Sequence, residues 1–257
     1  MNKITISLIY KALLFLVVLV MAICVATVPV DAESATTKGM VTTRTVSEYD
    51  MIKSLQSKTD LQLTQGGYSK KEIKQIRTVT QAKEKYGKVT YTVSYSKMKY
   101  KKGVTYLTTK TTWSWSKKPV FALKDIIGMT TSSAFTKDKG STKVVYYLYG
   151  NKNKKREVTS QKVKTNGAGT GTFIRIKVGK EYDKEAKTYR KIALSGSMTV
   201  TWSVNGKIRQ TGIASNYGHS VLSLTPSVSF SATGVSMGFT PSISCLSGDE
   251  AYKKAKL

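Results

Sequence analysis

Alternation with a period of two is the feature that most limits what this chain can fold into. From Lys88 onward, apolar residues alternate with Ser or Thr, so every second side chain falls on one face of an extended strand. The pattern predicts an all-β, antiparallel β-sandwich of about 8–12 strands. The clearest runs are Lys88–Ser96, Val104–Ser116, Thr142–Tyr149, Thr172–Val178 and Thr188–Val204.

The stretch from Trp113 to Met129 is the densest apolar segment outside the N-terminus. Trp113 and Trp115 are two residues apart, so they share one face of a strand. Pro119 cannot donate to a ladder and predicts a break before the apolar run resumes. Two neighbouring indoles could form a platform for a sugar ring or a membrane interface, but core packing is the favoured interpretation.

The N-terminus, Met1 to Ala32, predicts a secretory signal peptide, with Lys3 and Lys11 flanking the start of an apolar run. An uncleaved anchor is the alternative, because the apolar run approaches the length of a spanning helix. A lipid-modified Cys24 is disfavoured by the bulky Ile23 before it. After cleavage only Cys245 remains, so no internal disulfide is expected. The protein is therefore expected to be secreted, or associated with the cell wall.

The charge is strongly one-sided: 42 Lys and Arg against 15 Asp and Glu give a formal net charge of +27 at pH 7. Such an excess repels itself and implies an anionic partner. Anionic cell-wall polymers or an anionic membrane surface are the expected partners. Export argues against nucleic acid as the partner in vivo, and the oligomeric state stays open.

One or two short helices are predicted before the sandwich. Residues 33–66 are polar and are expected to form a leader or linker, with a short helix at Glu48–Leu55 capped by Ser47. Ser69 and Glu72 fit a capping box and predict a second helix at about 70–84, although a strand at Ile73–Gln81 competes with it. The β-sandwich domain is placed at 67–246, and a basic tail at 247–257.

Turn signals divide the strands. Asn205-Gly206 is the strongest of them, because both residues tolerate the positive φ of a type I′ turn, and it predicts a tight hairpin. Asn166–Gly171 is interpreted as a hairpin connector, since a strand rather than a helix follows it. Ser133–Ser141 is expected to be a loop.

Residue types that carry catalysis are scarce. His219 is the one histidine, and the adjacent Ser220 would point to the opposite face of a strand. Asp125 is the one acid in an apolar context and is expected to cap a turn or pair with a lysine. The sequence predicts no catalytic constellation, no cofactor and no metal site.

Two basic turns are the candidate contacts for a polyanion, through charge combined with neighbouring tyrosines. The first turn contains Lys97, Lys99, Lys101 and Lys102, and the second contains Lys152, Lys154, Lys155 and Arg156.

Two other classes of function stay open. The alternation in Ser220–Ser244 would suit a membrane-inserting hairpin of a pore-forming protein, although an ordinary sandwich hairpin is favoured. A secreted hydrolase is the second alternative.

The pattern Trp113-x-Trp115-x-x-x-Pro119, followed by Asp125-Ile-Ile-Gly128, resembles uncharacterised secreted proteins of Gram-positive bacteria. The resemblance covers this short stretch and the general composition. It implies export and a β-rich fold, and it implies no activity. The sequence thus favours a secreted, basic, envelope-associated binding protein over an enzyme.

Overall fold

Two antiparallel sheets packed on a shared core carry most of the chain, as the alternation predicts. The computed structural model describes residues 37–38, 41–96, 98–131, 134–166, 169–221, 227–230, 237–240, 245–247 and 251–256. The predicted signal peptide and Lys97 lie outside these residues. The all-β sandwich is therefore confirmed.

Seventeen strands occur in the described residues, more than predicted, because several are only two to five residues long. They are β1 Thr37–Lys38, β2 Val41–Ser47, β3 Lys88–Tyr95, β4 Lys99–Lys101, β5 Val104–Trp115, β6 Lys124–Thr131, β7 Thr136–Leu148, β8 Lys155–Thr159, β9 Lys164–Thr165, β10 Gly171–Lys177, β11 Gly179–Asp183, β12 Thr188–Asn205, β13 Gln210–Ser220, β14 Ser227–Phe230, β15 Met237–Thr240, β16 Cys245–Ser247 and β17 Ala251–Lys256.

The larger sheet has nine strands in the order β1-β2-β3-β5-β12-β7-β8, with β4 paired to β5 and β11 paired to β12. The second sheet has the order β16-β13-β6-β10-β9, with β17 paired to β13. The two sheets share one hydrophobic core, to which Trp113, Trp115 and Trp202 contribute from the larger sheet and Ile174 and Tyr217 from the smaller. All three indoles are at most 2% exposed, which confirms the core interpretation of the tryptophan pair.

The central stretch breaks where Pro119 predicts. Strand β5 ends at Trp115 and β6 begins at Lys124, on the other sheet. The segment between them therefore carries the chain from one layer of the sandwich to the other.

Three α-helices precede β3 in the described chain, one more than the most that was predicted: α1 Glu48–Gln56, α2 Asp60–Gln65, which the sequence analysis missed, and α3 Lys70–Thr78. Ser47 caps α1 through a hydrogen bond to the Asp50 amide, as predicted. Ser69 and Glu72 form the predicted capping box of α3, so the competing strand is wrong. Helix α3 ends at Thr78, and the chain then continues through a short 3₁₀-helix at Lys83–Lys85.

The predicted Asn205-Gly206 hairpin is wrong. Strand β12 already pairs with β5 on one side and with β7 on the other, so it has no free edge for β13. Gly206 does adopt a positive φ of 89°, but its amide donates to the Gly103 carbonyl at 2.7 Å. The turn instead sends β13 across to the second sheet.

The larger sheet extends beyond the segments that alternation identifies. Residues 41–47, assigned by sequence to a leader or linker, form β2 and pair with β3 along its length. Strand β7 begins at Thr136, inside the predicted loop, because this polar segment pairs with β12 at its solvated end. Residues 251–256, within the predicted basic tail, form β17.

Candidate polyanion-binding face

The outer surface of the nine-stranded sheet is built from the polar half of the alternation. Inward residues fill the core, and Ser, Thr and Lys occupy most of the outward positions of β2, β3, β5, β12 and β7; Tyr106 and Val145 are outward exceptions. We call this surface the hydroxyl–lysine face; it comprises Thr43, Thr45, Thr90, Thr92, Ser94, Thr108, Lys110, Thr112, Ser114, Lys139, Ser141, Lys143, Ser195, Ser197, Thr199 and Thr201.

The strand register aligns these residues in rows across the sheet. The hydroxyls of neighbouring strands bond to each other in three places, at 3.0 Å, 3.1 Å and 3.4 Å. Such cross-strand pairs hold the hydroxyls in a regular array. The longest row contains Thr43, Thr92, Thr112, Ser197 and Lys143, one from each of five strands.

Three exposed lysines stand within this array: Lys110, Lys139 and Lys143. None of the residues that define the hydroxyl–lysine face is acidic, although the exposed Asp138 lies next to Lys139, where β7 shifts its register against β12. In the part of the chain that the structure describes, no carboxylate forms an ion pair with any of these three ammonium groups. The face is thus a cationic surface with hydroxyl donors and acceptors between its charges.

The first predicted basic turn continues this face. Lys99 and Lys101 lie on the short strand β4, which pairs with the start of β5, and both are exposed. Lys102 is exposed in the following turn, with a φ of 50°. Tyr100, between the two strand lysines, is 46% exposed, and the Lys207 ammonium lies 6.0 Å from its ring. Lys97 is outside the described residues.

The second predicted basic turn lies at the opposite end of the same face. Lys152 and Lys154 are exposed in the β7–β8 turn, and Lys155 is exposed at the start of β8. The Lys152 ammonium donates to Ser114 Oγ at 3.4 Å, near the end of β5. Arg156 lies on β8, and its side chain is outside the described part of the structure.

The structure therefore brings the two predicted turns onto one surface, although not side by side. β4 pairs with the start of β5 at Val104, and Lys152 contacts Ser114 ten positions later, a separation of about 33 Å at the rise of a strand. The hydroxyl–lysine face lies between them. The runs of charge predict only the two ends of this surface. The lysines between them are isolated in Ser/Thr-rich strands and form no run, so the sequence did not indicate them.

A separate cluster of ionisable groups lies inside the protein, around His219. Its Nδ1 lies 2.8 Å from Asp125 Oδ1, and its Nε2 lies 3.2 Å from Glu48 Oε1. All three side chains are at most 1% exposed. Asp125 was expected to cap a turn or to pair with a lysine. Both expectations are wrong, because Asp125 lies within strand β6 and its ionic partner is the histidine.

Each carboxylate of this cluster has further donors. Glu48 accepts the backbone amides of Val120 and Phe121, both at 2.9 Å, and that of Gly87 at 3.3 Å. Asp125 Oδ2 accepts the Tyr217 hydroxyl at 2.6 Å. Because Glu48 begins α1, these bonds tie the helical segment to the Pro119 crossover, to the residue before β3 and, through His219, to the second sheet.

The cluster is charged within the fold. Burial by itself lowers the pKa of His219, but the charges and hydrogen bonds of Asp125 and Glu48 outweigh it and raise that pKa to about 10. For Glu48 burial acts in the opposite direction and by itself raises the pKa. The imidazolium and the amides of Phe121 and Val120 outweigh burial, so the pKa of Glu48 is lowered overall. The imidazole is therefore a buried cation held between two carboxylates.

This geometry does not supply a general base. Both ring nitrogens of His219 are occupied by carboxylates, and the buried Ser220 hydroxyl has no hydrogen-bond partner in the described structure, the imidazole included. Within the same residues, no group of His, Cys, Asp and Glu could hold a metal ion. Sequence analysis missed Glu48, because it lies 171 residues from His219 along the chain.

Among the described residues, no helix is both long and apolar enough to cross a membrane.

No family model matches the chain. A search of curated proteins also finds no match. Among solved structures, Clostridium perfringens delta-toxin is similar at a TM-score of 0.26 and 10% identity, over 86% of this chain and 94% of the toxin. The Clostridium perfringens NetB toxin in its membrane-inserted form gives 0.25 and 7%, over 65% and 88% of the two chains. The KRT10-binding region domain of the pneumococcal protein PsrP gives 0.22 and 13%, over 51% and 77%. At these values the similarities support no conclusion about function, and the proposals below rest on the residues of this chain.

Proposed function

We propose that this is an exported protein that binds anionic cell-wall polymers along the hydroxyl–lysine face and the two basic turns at its ends. The carrying observation is the continuous surface of lysines and hydroxyls, in which three exposed lysines have no carboxylate partner among the described residues. A polymer with regularly spaced negative groups can lie across several lysines at once, while its sugar or polyol hydroxyls bond to the Ser and Thr rows.

The affinity of such a contact depends on salt, because a polyanion releases its condensed counterions when lysines neutralise it. Surface charges of this kind are also screened within about 8–10 Å at physiological ionic strength. Binding is therefore expected to be tight at low salt and to weaken steadily as salt is added.

The test is co-sedimentation with purified cell walls across a salt series, with a soluble poly(glycerol phosphate) as competitor. The triple variant Lys110→Gln, Lys139→Gln, Lys143→Gln removes three charges from the face. It should reduce the slope of log affinity against log salt by about 2–3. Binding by the wild type that is indifferent to salt, or no binding at low salt, overturns the mechanism.

A matched control separates the face from the net charge. Lys70, Lys71 and Lys74 are exposed on α3, away from the sheet, and changing all three to Gln removes the same charge. This control should keep most of the binding. Equal losses in the two triple variants would assign binding to net charge and refute a specific face.

One observation favours a second candidate, a membrane-active protein. Within the described residues, strands β14 and β15 form a two-stranded sheet of their own that is hydrogen-bonded to neither larger sheet, although the Phe230 ring lies against Gly171 of β10. The register pairs Val228 with Phe239 and Phe230 with Met237, and these pairs alternate with Ser227–Thr240 and Ser229–Gly238. Alternating apolar and polar pairs are typical of hairpins that insert into membranes. Each described strand has four residues, short of the 9–11 that a span requires, so insertion would require the hairpin to lengthen.

Dye release from anionic liposomes tests this candidate. Phe230→Arg should abolish release, because a charge facing lipid costs about 2–4 kcal/mol at mid-membrane. Ser229→Arg, at the next position of the same strand, is the matched control and should retain release. Absence of release by the wild type eliminates the candidate.

A further inference from the structure

A cavity of about 440 Å³ lies beside the helices, away from the core of the sandwich. Its walls come from α1, from the C-terminal end of α3, and from the segment that continues through the 3₁₀-helix to Tyr86. The volume is within the range of small-molecule sites. The capping of α1 and α3 and the bonds from the Gln56 side chain to the carbonyls of Ile76 and Val79, both 2.9 Å, fix the two helices relative to each other.

The lining of the cavity is basic. Lys53, Arg77 and Lys83 contribute to it, and no Asp or Glu does. Arg77 is already satisfied, because its guanidinium bonds Asp60 at 2.7 Å and the carbonyls of Gln56 and Lys58, each at 2.6 Å. The two lysines therefore carry the positive charge that remains.

Both lysines converge on one aromatic ring. The Lys53 ammonium lies 5.6 Å and the Lys83 ammonium 5.5 Å from the centroid of Tyr49. The Tyr86 ring meets Tyr49 edge-on at 5.5 Å and is almost fully buried, so the aromatic wall is rigid. Lys53 also donates to Gln56 Oε1 at 3.1 Å, which is a neutral acceptor. Because no carboxylate is in the lining, the two ammonium groups give this wall of the cavity a positive charge, which a bound anion would neutralise.

We propose that this cavity binds a single sugar unit that carries an anionic group, either phosphate or carboxylate. Lys53 and Lys83 pair with the anion, and Tyr49 packs against the sugar ring. Thr80 and Gln81, also in the lining, are placed to bond sugar hydroxyls. The inference rests on the proposed function for its biological setting, because such units are the building blocks of anionic wall polymers.

Titration calorimetry of the full chain tests the site with four probes: glucose 6-phosphate, glucuronate, glucose and inorganic phosphate. The two anionic sugars should bind, and glucose should bind at least about tenfold more weakly, since it lacks the charge. Inorganic phosphate should also bind more weakly, since it lacks the ring. A preference for glucuronate or for glucose 6-phosphate distinguishes a carboxylate-bearing from a phosphate-bearing ligand.

Variants locate the binding. Lys53→Gln combined with Lys83→Gln should weaken both anionic sugars about tenfold or more. Tyr49→Leu should weaken the sugars and leave inorganic phosphate unchanged. Lys71→Gln with Lys74→Gln, on the outer surface of α3 and outside the cavity lining, is the charge-matched control and should bind as the wild type does. Circular dichroism confirms that each variant is folded.

The outcomes separate this inference from the proposed function. No binding of either anionic sugar at millimolar concentration, or equal losses in the cavity and control variants, overturns the cavity site, whatever the walls bind. Absence of wall binding by the wild type at low salt, or wall binding that is indifferent to salt, with the anionic sugars still bound in the cavity, overturns the proposed function and leaves the site standing.

Discussion

The buried cation at His219 makes the stability of this protein depend on pH, and removing it tests the interpretation of the cluster. His219→Gln keeps a polar side chain of similar length between Asp125 and Glu48 but removes the charge. The two carboxylates then lose their shared counter-charge in an environment where all three side chains are at most 1% exposed. Breaking a buried ionic network in this way typically costs about 3–5 kcal/mol.

The sign of the pH dependence follows from the raised pKa. Burial opposes the charge, but Asp125 and Glu48 raise the pKa of His219 from 6.5 to about 10. The stabilisation is therefore complete below pH 6.5 and is lost as pH rises toward 10, at about 1.4 kcal/mol per pH unit. Between pH 7 and pH 9 the loss is on the order of 2.7 kcal/mol.

Urea unfolding of the wild type and of His219→Gln at pH 7, 8 and 9 measures this effect. The lysines are common to both proteins, so their titration cancels in the difference between the two free energies of unfolding. That difference should shrink by about 2–3 kcal/mol from pH 7 to pH 9. A difference that stays constant over this range would show that the buried imidazole is neutral. Should the variant not fold, the imidazole resonances of the wild type give the same answer, since a charged ring must persist at pH 8.

Three further predictions concern the core and use the free energy of unfolding at pH 7. Gly196→Ala should destabilise by about 3 kcal/mol, because a Cβ there would lie 2.3 Å from the Trp113 ring and 2.3 Å from the Lys143 carbonyl oxygen. An unchanged or increased stability, as Ala ordinarily gives over Gly in a strand, would contradict the close approach. Thr109→Val should cost about 1–3 kcal/mol, since it leaves the buried Trp202 Nε1 without its acceptor at 2.8 Å. Glu48→Gln should cost about 3 kcal/mol and also lower the pKa of the histidine; a neutral substitution would show that the carboxylate is not ionised.

Local patterns predicted the parts of the fold that local chemistry decides. The alternation in Lys88–Tyr95 and Val104–Trp115 identified β3 and β5 almost to the residue. The capping box of Ser69 and Glu72 identified the start of α3, because the hydrogen bonds of a helix cap form between residues within four positions of each other. The two basic turns could also be identified from the sequence, because a run of charged residues is a local feature.

Features that depend on pairing partners could not be predicted in this way. Asn205-Gly206 has the sequence of a hairpin turn, yet its preceding strand is already paired on both edges, and only the sheet order reveals that. The ion cluster is a second case, because His219 lies 94 residues from Asp125 and 171 from Glu48. A lone histidine gave no signal of partners so distant in the chain.

The spacing of the hydroxyl–lysine face is a consequence of the core behind it. Trp113 pairs with Gly196, and the indole occupies the space that a side chain would take, so this contact fixes the register of β5 against β12. The same register aligns Thr112 with Ser197 and Lys110 with Thr199 on the outer surface. A slip of one residue would turn the indole outward and scatter the rows, which the core forbids. Substitution of the lysines of the face should therefore cost little stability. The geometry of the face is fixed by buried residues that no ligand touches. Substitutions such as Lys110→Gln should thus alter binding without altering the fold, and Gly196→Ala should alter both.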